Sequence, residues 1–350
     1  MNLNDYGFQS HNFPEHNCGI PARVTSVHKE RYAIICEYGQ TYARLKTKAY
    51  FADKYRDFPT TGDFILIQYV PNGDSLILDT LPRRTFFSRR DPTPGRGEQA
   101  VASNFDYVFI MQSLNQDFNP RRLERYLTLA WQSGAAPVVI LTKADLVQDH
   151  SHALHLAGQI AAGAPVHAVS AKTGYGLETL SGYFAPGKTV VFLGSSGIGK
   201  SSLVNALAGE EIMTVNGIRE NDGKGRHTTT HRQLIRLQNG AMIIDTPGMR
   251  ELGMWDVSEG LGEAFSDVTQ FLGRCKFSDC RHQTEPGCAI RQAIETGALS
   301  QQRWDSYISL HQEAKYTDKS AFLRQKQQRN KAIAKQTRQR KKDSRFNDGF

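Results

Sequence analysis

The spacing of apolar residues along this chain changes character twice, and each change marks a new kind of structure. From residue 20 to about 81, short apolar and β-branched runs at 22–27, 32–36, 41–45, 64–70 and 76–78 are broken by Gly39, Gly62 and Gly73. No 3.6-residue period runs through them, so this stretch predicts five strands. Five strands over about sixty residues make a small antiparallel barrel; the OB-fold is one such solution and a different small β-module is the other. From residue 107 strands alternate with helices. Continuous apolar runs at 107–111, 138–141, 166–169, 189–193, 233–236 and 241–244 predict strands, and 120–133 has an apolar face at 123, 126, 127, 130 and 131. Strands of this kind, separated by helices, predict a mostly parallel sheet covered on both faces. Helices are expected again at 287–292 and 301–314, whereas the residues after 315 show no consistent apolar face.

The plan that follows is a mobile N-terminus (1–19), a β-barrel (20–81), a basic linker (82–103), an α/β domain (104–254), a helical domain (255–314) and a tail (315–350). Arg83, Arg84, Arg89, Arg90 and Arg96, set among prolines and glycines, read as a solvated connector in preference to a phosphate contact. Charge alters the picture at one end. The chain carries +8 and residues 315–350 carry +9, which leaves −1 for residues 1–314. The tail therefore predicts a polyanionic partner, as a disordered segment or fraying helix that orders on RNA; a solvated tail without function is the other reading. The first twenty residues lack a basic then apolar leader, and no apolar run reaches 18 residues. A cytoplasmic protein without a membrane span is expected.

The candidate chemistry starts at Gly194-Ser195-Ser196-Gly197-Ile198-Gly199-Lys200-Ser201, directly after the strand at 189–193. This is G-x-x-x-x-G-K-[ST], a phosphate-binding loop opening a helix that continues through Ser202. Its backbone N–H groups form an anion nest, Lys200 reaches the β- and γ-phosphates, and the Ser201 hydroxyl ligates Mg²⁺. Asp245 and Gly248 follow as D-x-x-G at a strand end, with roles at the Mg²⁺ shell and the γ-phosphate. Thr142-Lys143-Ala144-Asp145 supplies base selection. The Asp145 carboxylate accepts two N–H donors, which guanine offers and adenine does not. Lys143 packs over the base plane, and Ser170-Ala171-Lys172 brings a backbone N–H to the guanine oxygen.

The order of these motifs is unusual, because the base-reading pair precedes the phosphate loop. That is a circular permutation of the ordinary GTPase order. With it, residues 20–310 resemble the circularly permuted, small-ribosomal-subunit-dependent GTPase family (RsgA/YjeQ). The resemblance implies an OB-fold barrel, a GTPase domain and a zinc-binding helical domain. It also implies GTP hydrolysis to GDP and phosphate, stimulated by the small subunit during its late maturation, with GTP, GDP and ribosomal RNA as partners. A monomer is expected. Two positions depart from the common GTPase pattern: Thr142 stands where Asn is usual, and Met249 where many GTPases place a water-orienting Gln. A thioether cannot orient water. In Gly225-Arg226-His227-Thr228-Thr229-Thr230, at the switch I position, Thr229, or else Thr228, is the expected Mg²⁺ ligand. The resemblance gives His227 a part in hydrolysis; a loop cap or RNA contact is the other reading. The catalytic set is thus His227, Thr229 and Lys200, and the Mg²⁺ set Ser201, Thr229 and Asp245.

Cys275, Cys280, His282 and Cys288 fall within fourteen residues, a Cys₃His set suited to one structural Zn²⁺. A metabolic phosphoryl-transfer enzyme would leave that cluster, the base-reading motifs, the barrel and the tail without purpose. A nucleic-acid-binding module with an inert nucleotide site is the other alternative.

Overall fold

Alternation along the first strand decides the N-terminal architecture. In β1 (Ile20–Val27), Ala22 and Val24 point to one face and are fully buried. β2 (Tyr32–Cys36), β3 (Gly39–Leu45), β4 (Phe64–Gln68) and β5 (Ser75–Thr80) add Ile34, Ala43, Ile65, Ile67 and Ile77 to the same interior. The paired order is β1-β2-β3-β5-β4, and β4 also pairs with β1, so the sheet closes on itself. Among the described residues, only β3 and β5 run parallel within it. This is the five-stranded, OB-type barrel. The computed structural model describes residues 2–9, 19–28, 31–46, 58–90, 98–115, 118–213, 232–245 and 257–315.

Two expectations at the barrel's borders are corrected. Residues 2–9, expected within a mobile N-terminus, contain a 3-10 turn (Leu3–Tyr6) that buries Leu3 and Tyr6. Phe8 meets Phe64 edge-on at 5.4 Å. The segment 82–103, expected as a solvated linker, forms β6 (Phe86–Arg90) and β7 (Glu98–Ser103), an antiparallel pair. Its basic residues masked an apolar face: Phe87, Val101 and Ala102 are buried and Phe87 stacks on Phe105. Arg83, far from serving solvent, grips the fully buried Asp63 carboxylate with two N–H groups at 2.8 and 2.9 Å.

The α/β domain comprises β8 (Tyr107–Ser113), α1 (Pro120–Gln132), β9 (Ala136–Thr142), α2 (Ser151–Ile160), β10 (Val166–Ala168), β11 (Thr189–Leu193), α3 (Lys200–Ala208), β12 (Gln233–Arg236) and β13 (Met242–Asp245). The order is β10-β9-β8-β11-β13-β12, parallel except for β12. Side chains alternate between two cores. Val108, Ile110, Val139, Leu141, Val191 and Ile244 pack with α1, whereas Phe109, Met111, Ile140, Val190, Phe192 and Ile243 pack with Leu203 and Val204 of α3. Ser26 of β1 pairs with Gln233 of β12, so the barrel and this sheet share one hydrogen-bonded ladder.

Arg23, whose neighbours Ala22 and Val24 face the barrel interior, points the other way into this junction and is fully buried. Its guanidinium donates to the carbonyls of Tyr6 (2.5 Å), Gly62 (3.3 Å) and Asn104 (2.8 Å) and to the Thr189 hydroxyl (3.1 Å). One charge thus ties the N-terminal turn, the barrel and β11.

The C-terminal helices are α4 (Ser258–Ala264), α5 (Ser266–Thr269), α6 (Ala289–Glu295) and α7 (301–315). They share one hydrophobic core with α1: Leu261, Phe265, Ile290, Trp304 and Tyr307 lie in the same cluster as Leu123 and Leu127. Close approach of α4 to α1 depends on Gly260, where a Cβ would sit 2.2 Å from the Thr128 carbonyl oxygen. Arg303 of α7 completes the joint, bonding Glu124 of α1 at 2.9 Å and Asp267 of α5 at 2.9 and 3.0 Å.

Candidate functional site

Because β8, β9, β10, β11 and β13 are parallel, their C-terminal ends share one edge of the sheet. β8, β9 and β10 run outward in one direction, and β11 then returns to the other side of β8. Such a reversal opens the crevice in which ligands of α/β sheets bind. The structure brings the sequence-predicted residues to this edge. Gly194, Ser195, Ser196, Gly197 and Ile198 leave β11, and Gly199 caps α3, which begins at Lys200 and contains Ser201 and Ser202. Gly197 and Gly199 have φ of 74° and 100°, left-handed values that a side chain would strain. Asp245 ends β13, and its buried carboxylate is ion-paired with the Lys200 ammonium.

Two strands away, β9 delivers Thr142, Lys143, Ala144 and Asp145. Lys143 holds φ 60°, a left-handed turn that releases the chain from the strand. The turn is fixed by Ala144 N–H donating to the Val169 carbonyl at 3.1 Å. The Ser170 hydroxyl donates to the Asp145 carboxylate at 2.6 Å and accepts from Thr173 N–H at 3.2 Å, so the two base-reading loops orient each other. One carboxylate oxygen is then held while the group keeps acceptor capacity for a ligand. Ala171 and the exposed Lys172 follow on the same loop. The unexpected feature is Thr142. Its hydroxyl lies 2.7 Å from the Ile198 carbonyl and 3.2 Å from that of Gln112, tying the base-reading loop to the phosphate loop across β8. The departure from Asn therefore still supplies a donor.

Comparison with known proteins decides the family. The RsgA GTPase model matches residues 80–255. A Listeria monocytogenes protein named small ribosomal subunit biogenesis GTPase RsgA 1 is 43% identical over 344 residues, 97% of each chain. The chain belongs to the RsgA GTPase family. A Methanosarcina acetivorans RsgA is 44% identical over 266 residues, 76% of this chain and 72% of that one. Among solved structures, YjeQ from Thermotoga maritima matches with a TM-score of 0.63 and 26% identity, covering 84% of this chain and 97% of its own. YloQ, described as a circularly permuted GTPase, matches at 0.59 and 25%, covering 87% and 97%. An ABC transporter model also matches residues 177–346, a span that includes the phosphate loop but neither base-reading segment. The protein is accordingly a GTP-hydrolysing enzyme, as the sequence motifs imply.

In this RsgA chain the ligand-spaced cysteines also converge. One ligand atom from each of Cys275, Cys280, His282 and Cys288 lies within 4.8 Å of all the others. The His282 Nδ1 is 3.4, 3.6 and 3.4 Å from the sulfurs of Cys275, Cys280 and Cys288, and Cys275 Sγ is 4.0 Å from Cys288 Sγ. A tetrahedral ion with bonds of about 2.3 Å to sulfur and about 2.0 Å to nitrogen requires S···S edges near 3.8 Å and S···N edges near 3.5 Å. The donor set fits a metal ion. His282, at φ 60°, makes the tight turn that returns its ring toward both flanking thiols, and Trp304 meets that ring edge-on at 5.4 Å.

His227, Thr228, Thr229, Gly248, Met249 and residues 316–350 lie outside the described residues. Sequence reasoning did not single out Arg23, Glu285 or the Thr142–Ile198 bond. The first two carry no motif, and the third depends on two loops meeting in space.

Proposed function

We propose that GTP lies along the β9–β10–β11–β13 edge and that its hydrolysis is coupled to contact with the small ribosomal subunit late in maturation. The observation that carries this reading is the hydroxyl bridge from Thr142 to Ile198, which sets base-reading and phosphate-binding loops at a fixed separation. The names of the relatives support the partner. Asp145 accepts the guanine N–H donors, and Ser170 keeps that carboxylate aimed. The phosphate loop, Gly194 to Ser202, wraps the phosphates with N–H groups, and Lys200 moves from Asp245 to the phosphate oxygens and neutralises charge there. Mg²⁺, held by Ser201, a switch threonine (Thr229 before Thr228) and the Asp245 shell, supplies further charge neutralisation. Gly248 N–H meets the γ-phosphate, and His227 approaches the attacking water, the role Met249 cannot fill.

Three thiolates and one imidazole favour Zn²⁺, in a closed structural site. Ribosomal RNA is the polyanion for the basic tail, and the chain acts as a monomer in the cytoplasm. Among the described residues no helix is long and apolar enough to cross a membrane.

Two outcomes test the reading. Asp145→Asn is expected to weaken GTP binding more than tenfold, about 1.4 kcal/mol, with partial rescue by xanthine nucleotides; unchanged GTP affinity by calorimetry would overturn the base assignment. Small subunits are expected to stimulate single-turnover hydrolysis at least tenfold, again about 1.4 kcal/mol of barrier. His227→Ala should lose that stimulation, and removing 315–350 should weaken subunit binding. Equal rates with and without subunits would instead favour an uncoupled nucleotide site.

A further inference from the structure

The metal ligands sit on a segment that, between α5 and Ala289, has no helix or strand to hold it. Something else must fix the loop. The answer lies in four consecutive backbone N–H groups. Arg281 N–H donates to Glu285 Oε1 at 3.0 Å, and those of Gln283 and Thr284 donate to Glu285 Oε2 at 2.9 and 3.0 Å. Between them the His282 N–H points to Cys280 Sγ at 3.4 Å. The loop therefore closes as a nest of N–H groups around one internal carboxylate, with His282 at its centre in a left-handed conformation. That conformation costs a non-glycine residue of order 1 kcal/mol or more, and it persists only where surrounding bonds impose it. Both Glu285 oxygens are engaged by backbone donors, so the side chain orders the loop and does not compete as a ligand.

We propose that Glu285 is a positioning residue for the Cys₃His site, holding the 281–284 backbone so that His282 Nδ1 meets the three sulfurs. The argument rests on the reading of this cluster as a metal site. Three facts point the same way. Donation from the N–H groups of Arg281, Glu285 itself, Gln283 and Thr284 draws the carboxyl down from 4.5 to about 2, so the nest keeps its central charge well into the acid range. The ring of His282 packs edge-on against Trp304 at 5.4 Å, which leaves the backbone turn as the element needing support. Outer partners of this kind commonly set metal affinity by about 10- to 100-fold. Glu285 acts further out than usual, on the backbone N–H groups that flank the ligand and not on its ring.

The test uses the full chain loaded with Zn²⁺ and titrated against a chromophoric chelator, in parallel with Co²⁺ substitution followed by absorption. Glu285→Ala is expected to raise the Zn²⁺ dissociation constant at least tenfold. Glu285→Gln keeps the shape and one acceptor oxygen, and should fall between wild type and Glu285→Ala. In both variants the tetrahedral Co²⁺ absorption should weaken or shift. Asp279→Asn removes an exposed carboxylate beside Cys280 and controls for bulk charge; it should change affinity less than about threefold. Glu285→Gln also keeps the test open where the alanine variant fails to fold. Equal Zn²⁺ affinity and equal Co²⁺ spectra in wild type and Glu285→Gln would overturn the proposal, as would an equal loss in Asp279→Asn. A wild-type chain that binds neither ion would instead refute the metal reading beneath it.

Discussion

Replacing Lys200 with alanine is expected to lower single-turnover GTP hydrolysis, with small subunits present, by about 10²- to 10³-fold. Two losses combine. The phosphate loop loses the one charged donor that can follow negative charge as it develops on the transferring phosphoryl group. Asp245, whose side chain is only 6% exposed, loses the ammonium with which it is paired. A buried carboxylate without a partner is costly, so Lys200→Ala should also lower thermal stability. Lys200→Arg separates the two effects. Its guanidinium can still pair with Asp245 and restore stability, but a planar fork does not replace a point charge inside the nest, so hydrolysis should stay low. Near-wild-type turnover in Lys200→Ala would remove the phosphate loop from the reaction.

Arg23→Met is expected to destabilise the fold by about 3–5 kcal/mol, read as a lowered unfolding transition of the whole chain. The side chain is fully buried, yet its hydrogen-bond acceptors are carbonyls, a hydroxyl and the Met242 thioether, with no carboxylate among them. Burial draws its pKa from 12.5 down to about 9, helped back up by Asp106, so the guanidinium stays charged at neutral pH. Methionine fills much of the volume but leaves the carbonyls of Tyr6 and Asn104 without the donors they had, whereas the Gly62 carbonyl keeps the Asn104 side-chain amide; each buried orphan costs about 1–3 kcal/mol. Thr189→Val deletes one acceptor and should cost about 1 kcal/mol. If Arg23→Met melts like Thr189→Val, the junction is held by apolar packing alone. Loss of Arg23 should also loosen the Leu3–Tyr6 turn, visible as faster amide exchange there.

Much of this molecule is legible in the chain because its signals are local. Strand alternation at Ala22 and Val24, the continuous apolar runs of β8, β9 and β11, and the glycines of the phosphate loop each act within a few residues. The nucleotide motifs are legible for the same reason: each is a short segment whose backbone geometry is its function. The metal set is legible from spacing, since four ligands within fourteen residues can reach one ion without help from distant chain. Residues 82–103 were not legible. Arginine and proline gave them the appearance of linker, but a few apolar side chains and the pairing of Arg83 with Asp63 made them part of the core.

By itself, then, the sequence determined the barrel, the parallel sheet, the permuted motif order and the identity of the groups that can touch nucleotide or metal. These follow from period, turn chemistry and side-chain type, which act over short stretches. Tertiary structure alone decided where strand faces meet. Arg23 alternates outward from the barrel and, on period alone, belongs in solvent; it is buried because the N-terminal turn at Tyr6, the Gly62 and Asn104 loops and Thr189 of β11 close over it. Thr142 became the bridge between two loops because β9 and β11 flank β8, and the loop leaving β11 brings the Ile198 carbonyl back to its hydroxyl. Gly260 and Arg303 merged the C-terminal helices into the α1 core for a like reason: which surfaces are apolar is written locally, but which surface covers which is settled by all the contacts at once.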